Sequence, residues 1–270
     1  MGSLVFAGAM SHAPGIAAFT NAASPEQRAS FFGATDQLKA AAAAAAPDVM
    51  LVIAPDHFSN FFIDNMPPAC VTLNEAYPGP VEDWLGISKV SIKGAPDLAR
   101  SILKHAFDAG IEPAFSEDAA LEHGVIVPLN LVTPGFGVPI VWIMQNCQVP
   151  PLLSLARCHA FGRAIRKAID ASSLRVGVLG TGGLSHAPGA AEADRLDEEF
   201  DRDFLGRLDR NAVDEILSMP NARLDAAGFG SWEIRQWVTA LGVAHDRKPR
   251  TLAYEAVVEW DTGCAVAIYE

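Results

Sequence analysis

The sequence predicts one α/β domain with a central mixed or mostly parallel sheet and helices on both faces. Three observations carry this. Short β-rich runs alternate along the chain with longer helical ones. Half of the 270 residues are hydrophobic, with 22 glycines and 18 prolines, a composition that can fill a globular core. No Ser/Gly-rich linker interrupts the chain, so a single domain over 1–270 accounts for its length.

In order, residues 4–9 form the first strand. Residues 25–46 form a helix with Ser24 as its cap and Pro25 in first position. Its run of alanines at 40–46 has the highest helix propensity available, and Pro47 stops it, so it reads as a plain surface helix. Residues 49–54 form the second strand. The stretch 65–94, with several prolines, is the least regular and reads as an insertion over a site. Helices follow at 96–109 and in the apolar run after His123, then a strand at 139–144, a helix at 151–171 and a strand at 175–179. Helices at 191–208, 213–219 and 231–241 precede two last strands, 252–259 and 264–269, which form a hairpin about Asp261-Thr262-Gly263.

Thirty-two acids against twenty bases give a charge of -12, which repels a phosphate backbone and argues against a nucleic-acid partner. Cys70, Cys147, Cys158 and Cys264 form no C-x-x-C pair, which suits buried thiols in a reducing cytoplasm. The apolar start lacks a basic region and is broken by Ser11-His12, so it reads as a strand and not a signal peptide. No run approaches the roughly 20 apolar residues of a membrane span, so no membrane partner is expected. A homo-oligomer is the expectation for an enzyme of this size.

Ser11-His12-Ala13-Pro14-Gly15 recurs letter for letter as Ser185-His186-Ala187-Pro188-Gly189, each time after an apolar strand. Two histidines delivered from two strand ends can face one cleft, because ligands bind at the carboxyl ends of strands in open α/β sheets. Chance repetition of a convenient turn is the bland alternative. His57 and His123 also stand beside backbone punctuation, in Pro55-Asp56-His57 and Glu122-His123-Gly124. His105 and His159 sit within helices and read as packing residues, and His245 lies in a polar loop.

Neutral imidazole is the commonest protein metal ligand, and two histidines with one carboxylate suit a non-haem Fe(II) oxygenase. There is no H-E-x-x-H, no P-loop and no G-x-S-x-G elbow, and Gly180-Thr181-Gly182-Gly183 is only a loose match to a phosphate cradle. For the carboxylate, Glu233 stands out. Ser231 is a candidate N-cap, which places Glu233 in a first helical turn beside the apolar stripe of Ile234, Trp237, Val238 and Leu241. An acid that merely favours the helix dipole is the alternative, and Asp56 and Glu122 compete as ligands.

These stretches, with Met66-Pro67-Pro68 and Gly180-Thr181-Gly182-Gly183-Leu184-Ser185-His186, come in the order seen in class III extradiol ring-cleavage dioxygenases, the group typified by the protocatechuate 4,5-dioxygenase β chain. Met-Pro-Pro, and Tyr254-Glu255 followed by Glu259-Trp260-Asp261-Thr262-Gly263, resemble the 2,3-dihydroxyphenylpropionate 1,2-dioxygenase branch. The resemblance implies Fe(II) held by His12, His57 and Glu233. It implies His123 and His186 as the two acid–base histidines; of these we take His186 as the base for a phenolic proton and His123 as the group that promotes O–O cleavage. The implied partners are a small aromatic diol and O₂. A hydroxylated N-heterocycle or a dihydroxyphenylalanine-type diol is an alternative substrate, and a non-catalytic Memo-like metal-binding or signalling module is an alternative class. An anionic aromatic acid would need a local cation such as Arg235, Arg247, Lys248 or Arg250 to prevail over the average charge.

Overall fold

A computed structural model describes residues 1–187 and 196–270. Pro188 and Gly189 of the second repeated turn, and the start of the helix expected from 191, lie outside the described residues.

In chain order the elements are β1 (Ser3–Met10), α1 (Gly15–Ala18), α2 (Pro25–Ala45), β2 (Val49–Ala54), β3 (Ala69–Thr72), β4 (Ala76–Gly79), β5 (Val90–Lys93), α3 (Pro96–Asp108) and β6 (Ala114–Ser116). Then come α4 (His123–Val132), β7 (Ile140–Gln145), α5 (Leu155–Ala171), β8 (Arg175–Thr181), α6 (Glu198–Asp209), α7 (Val213–Leu217), α8 (Asn221–Ala226), α9 (Ile234–Val243), β9 (Pro249–Val257) and β10 (Thr262–Tyr269). Eight strands form one sheet in the order β6-β3-β7-β2-β8-β1-β10-β9, and β4 pairs with β5 apart from it. The centre, β7-β2-β8-β1, is parallel; β3, β6 and β10 run against it, and β9, antiparallel to β10, runs with it again.

The sheet is covered on both faces, which explains why its central strands read as continuous apolar runs. Val49, Leu51 and Ile53 of β2 point into one layer with α3, α5, α6 and α9, while Met50, Val52 and Ala54 point into the other with α2 and α4. Each Leu, Ile or Phe buried there contributes about 1.5–3 kcal/mol. The α2 start is a full capping box: Ser24 Oγ accepts from Gln27 N, and Gln27 Oε1 accepts from Ser24 N. The helix lies on the surface, yet it buries Phe31, Leu38 and Ala42 against the sheet.

Some boundaries differ from the sequence reading. The α5 helix starts at Leu155 instead of Pro151, because the Ser154 hydroxyl accepts from Arg157 N and sets the cap there. Ser231 is not the cap of α9. Its hydroxyl donates to Leu224 O, residues Phe229–Glu233 form a 3₁₀ turn, and the α-helix begins at Ile234. The irregular stretch 65–94 contains β3, β4 and β5, each four residues long and too short for a periodic signal.

Candidate active site

β1 and β2 both pair in parallel with β8, which lies between them, so the carboxyl ends of the three strands open on one edge. His12 follows β1, His57 follows β2, and His186 follows β8 through Gly182–Leu184. His123 opens α4 at the same edge. Glu233 arrives from the far side, at the entry to α9. All five line one cleft of about 230 Å³, with Phe229 and Trp260 among its walls. The structure therefore brings together every site residue expected from the sequence.

Glycines make this approach possible. A Cβ on Gly182, whose φ is +130°, would stand 2.8 Å from the Glu233 Cβ and 2.9 Å from its Oε2. A Cβ on Gly230 would fall 2.3 Å from three atoms of the His186 ring. The Gly-Thr-Gly-Gly loop is thus not a phosphate cradle. It wraps Glu233, whose Oε2 accepts from Gly183 N at 2.7 Å, and Trp237 Nε1 donates to Gly182 O at 2.9 Å beneath it.

Each histidine has its Nδ1 assigned to a partner. The Thr181 hydroxyl donates to Gly124 O at 2.8 Å, so it can only accept from His12 Nδ1, 3.0 Å away. His12 therefore carries its proton on Nδ1 and presents Nε2 as a lone pair. That nitrogen lies 3.4 Å from Glu233 Oε2. His57 Nδ1 donates to Glu122 Oε2 at 2.7 Å, and its Nε2 lies 3.2 Å from Glu233 Oε1. His186 Nδ1 donates to Leu184 O at 2.9 Å, and its Nε2 faces Glu233 Oε2 at 3.8 Å. His123 Nδ1 donates to Glu82 Oε1 at 2.7 Å and has Glu122 Oε2 at 3.1 Å. Its ring stacks on His57 with centroids 4.1 Å apart.

Burial pushes His12 down from its ordinary value, against the pull of Glu233. Burial would also lower His57, but Glu122 and Glu233 outweigh it and hold the ring well above its ordinary value. Burial works against charge on Glu122, yet His123 and His57 bring its carboxyl down to about 2. Glu233 follows the same pattern: burial opposes ionisation, and His12, His186 and His57 hold it well below the usual range.

The competing acids have other tasks. Asp56 is buried and accepts from the backbone N–H groups of Ser59, Asn60 and Phe61 and from Asn60 Nδ2, so it shapes the loop that carries His57. Glu122 backs His57 instead of standing beside Glu233. The cations expected to meet a substrate carboxylate do not line the cleft. Arg235 donates to Leu153 O, Trp232 O and Asn221 Oδ1. Arg247 reaches Tyr269 O and Leu4 O, and Arg250 pairs with Glu270. Residues 247–250 stand at the start of β9, at the opposite end of that strand from Trp260. Thr181 and Glu82 were not singled out from the sequence. Thr181 lay hidden inside a glycine motif, and Glu82 carries no local signal.

Both repeated turns hang on one strand. Ser11 N donates to Ala265 O, and Ala265 N donates to Ser11 Oγ, each at 2.9 Å. Leu184 N donates to Gly263 O at 2.7 Å, and Gly263 N donates to Ser185 O at 3.0 Å. The repetition of Ser-His is therefore a shared anchoring on β10.

Fold and site together define an α/β protein with a buried His/Glu cluster, able to hold a metal ion, at the carboxyl edge of its sheet. His12, His57 and His123 can each bring a ring nitrogen within 4.8 Å of the others. The family model described as the catalytic LigB subunit of aromatic ring-opening dioxygenase matches residues 7–264, and the chain belongs to this family. It is an aromatic ring-opening dioxygenase, so an aromatic compound and O₂ are its partners. The chain is 27% identical to a 2,3-dihydroxyphenylpropionate/2,3-dihydroxicinnamic acid 1,2-dioxygenase of Rhodococcus globerulus, over 88% of this chain and 90% of that one. It is 32% identical to the enzyme of the same name from Paraburkholderia xenovorans, over 67% of this chain and 58% of that one. In fold it is similar to a crystal structure of an uncharacterized protein from Escherichia coli K12, with TM-score 0.55 and 15% identity, covering 87% of this chain and 91% of that one. Among the described residues, no helix is long and apolar enough to cross a membrane.

Proposed function

We propose that the protein is a non-haem Fe(II)-dependent extradiol dioxygenase that opens the ring of a catechol-type diol beside its two hydroxyls. The observation that carries this is the pair of imidazole Nε2 atoms, each turned inward by a fixed Nδ1 partner, that meet at one buried carboxylate. His12, His57 and Glu233 would hold the metal, a two-histidine, one-carboxylate set that leaves room for other ligands. Glu233 is preferred to His123 as third donor because it contacts both histidines, whereas His123 Nδ1 is engaged by Glu82 and Glu122. Glu122 and Thr181 are the outer partners that fix the two ligating rings. When bound, Fe(II) supplies a Lewis-acid centre at which diol and O₂ meet.

The remaining work falls to the protein. His186, with its Nδ1–H on a carbonyl, turns a basic Nε2 toward the cleft and takes the second phenolic proton. His123, across the cleft, would act as the acid from its imidazolium form, giving the Nε2 proton to oxygen as the O–O bond breaks and keeping Nδ1–H on Glu82. Phe229 and Trp260 wall the ring and limit water. The four cysteines are free and buried, which suits a reducing interior, and we assign the protein to the cytoplasm.

The test is anaerobic reconstitution with Fe(II), followed by O₂ uptake on a panel of catechols. Wild type should bind iron and consume O₂ in step with loss of the diol. His12→Ala should lose both iron and turnover. His186→Ala should keep its iron while ring opening collapses. Full iron occupancy in His12→Ala would remove it from the ligand set, and normal turnover of His186→Ala would end the base assignment.

A further inference from the structure

We propose that Glu82 is the positioning residue for His123, locking the ring so that Nε2 is its reactive nitrogen. Glu82 Oε1 accepts from His123 Nδ1 at 2.7 Å and from the backbone N–H of the same residue at 3.2 Å. One oxygen thus ties the ring to its own main chain and fixes its orientation. Glu122 does not supply this. Its Oε2 lies 3.1 Å from His123 Nδ1 but 2.7 Å from His57 Nδ1, and it serves the latter. The other Glu82 oxygen is buried and has no hydrogen-bond partner among the described residues, so the hydrogen bonds this carboxylate accepts there both come from His123. Thr181, Glu122 and Leu184 O play the matching part for His12, His57 and His186. Glu82 completes the set.

The fold builds this contact deliberately. Val81 N donates to Leu121 O, and Leu121 N donates to Pro78 O, both at 2.8 Å. A Cβ on Gly79 would stand 2.6 Å from the Leu121 Cβ, so the two segments lie in direct contact. The stretch 65–94, which the sequence marks as an insertion over a site, thereby delivers a carboxylate to the residue just after Glu122.

The assignment rests on His123 acting as the acid of ring cleavage, and its test has one arm that does not need turnover. In ¹⁵N-histidine NMR of the metal-free protein, with the signal assigned through His123→Gln, the wild-type ring should be protonated at Nδ1. Glu82→Ala should spread that proton over both nitrogens, while Glu82→Gln, which keeps an acceptor oxygen, should preserve the wild-type signal. In the Fe(II)-loaded enzyme with catechol, Glu82→Ala should lower kcat about 100-fold. Its KM and iron content should stay near wild type, and Glu82→Gln should recover most of the rate. An unchanged ring signal in Glu82→Ala, unaltered kcat, or a Glu82→Gln variant no better than Glu82→Ala would overturn the proposal. If wild type opens no diol, the ring-cleavage reading fails, and the NMR arm still decides what Glu82 does.

Discussion

The hydroxyl of Thr181 has two neighbours and one proton, and that proton is committed to Gly124 O. The direction of this single bond sets the tautomer of His12. Thr181→Val would leave the His12 Nδ1–H buried without an acceptor, at a cost of about 1–3 kcal/mol. Loss of such an outer partner should also weaken metal binding about 10- to 100-fold, measured by titration of the metal-free protein. Unchanged affinity would show that the ring is held by something other than Thr181. At this scale the sequence carried a good deal. His12, His57, His123, His186 and Glu233 were all legible, because each stands beside a strand end, a glycine or a helix entry. Arg235, one of the cations named for an anionic substrate, is directed elsewhere, because sequence does not fix where a guanidinium points: it turns to Leu153, Trp232 and Asn221. Glu82 was invisible for the opposite reason, lying 41 residues from its partner on a segment without periodicity.

Among elements, the entry to α9 matters most. The 3₁₀ turn Phe229–Glu233 swings the Glu233 side chain into the cleft before the regular helix begins, and Trp237, one turn on, donates to Gly182 O. Helix and glycine loop are joined there by one indole N–H. Trp237→Phe keeps most of the buried ring but orphans that carbonyl, and should destabilise the fold by roughly 1–3 kcal/mol, read from the urea midpoint. The metal site should loosen with it, because Gly183 N is the donor to Glu233. A variant as stable as wild type, with unaltered metal affinity, would mean that the loop is held elsewhere. The long strands and helices were readable from period and punctuation. β3 to β6 were not, since three or four residues with prolines nearby give no alternation, and their pairing is fixed by partners far along the chain. The start of α5 moved because Ser154 caps it, and that of α9 because the Ser231 hydroxyl turns to Leu224 O and a 3₁₀ turn precedes Ile234.

On the scale of the whole molecule, one buried acid links α6, the second repeated turn and the terminal hairpin. Asp201 accepts from Ser185 N, Ser185 Oγ and Tyr254 OH, each at 2.8 Å. Asp197 and Cys264 are its titratable neighbours, and Arg202 lies over the Tyr254 ring. Burial pushes the Asp201 carboxyl up to about 7, from an ordinary 3.8. Below the lower value it is protonated in both folded and unfolded chains, and above the higher one it is ionised in both. In between, the unfolded chain binds fewer protons, so the stability from this site falls as pH rises. Asparagine cannot ionise. The melting temperature of Asp201→Asn relative to wild type should therefore climb from about pH 4 to about pH 7 and then level off. A difference that ignores pH would mean an ordinary carboxyl.

The strand that clasps Ser11 and Ser185 has a consequence for synthesis. Gly263 and Ala265 are made after every residue that lines the cleft, yet they fasten the turns bearing His12 and His186. A nascent chain that has not yet reached residue 265 thus lacks the clamp for both, and the cleft stays unfinished until β10 has been made.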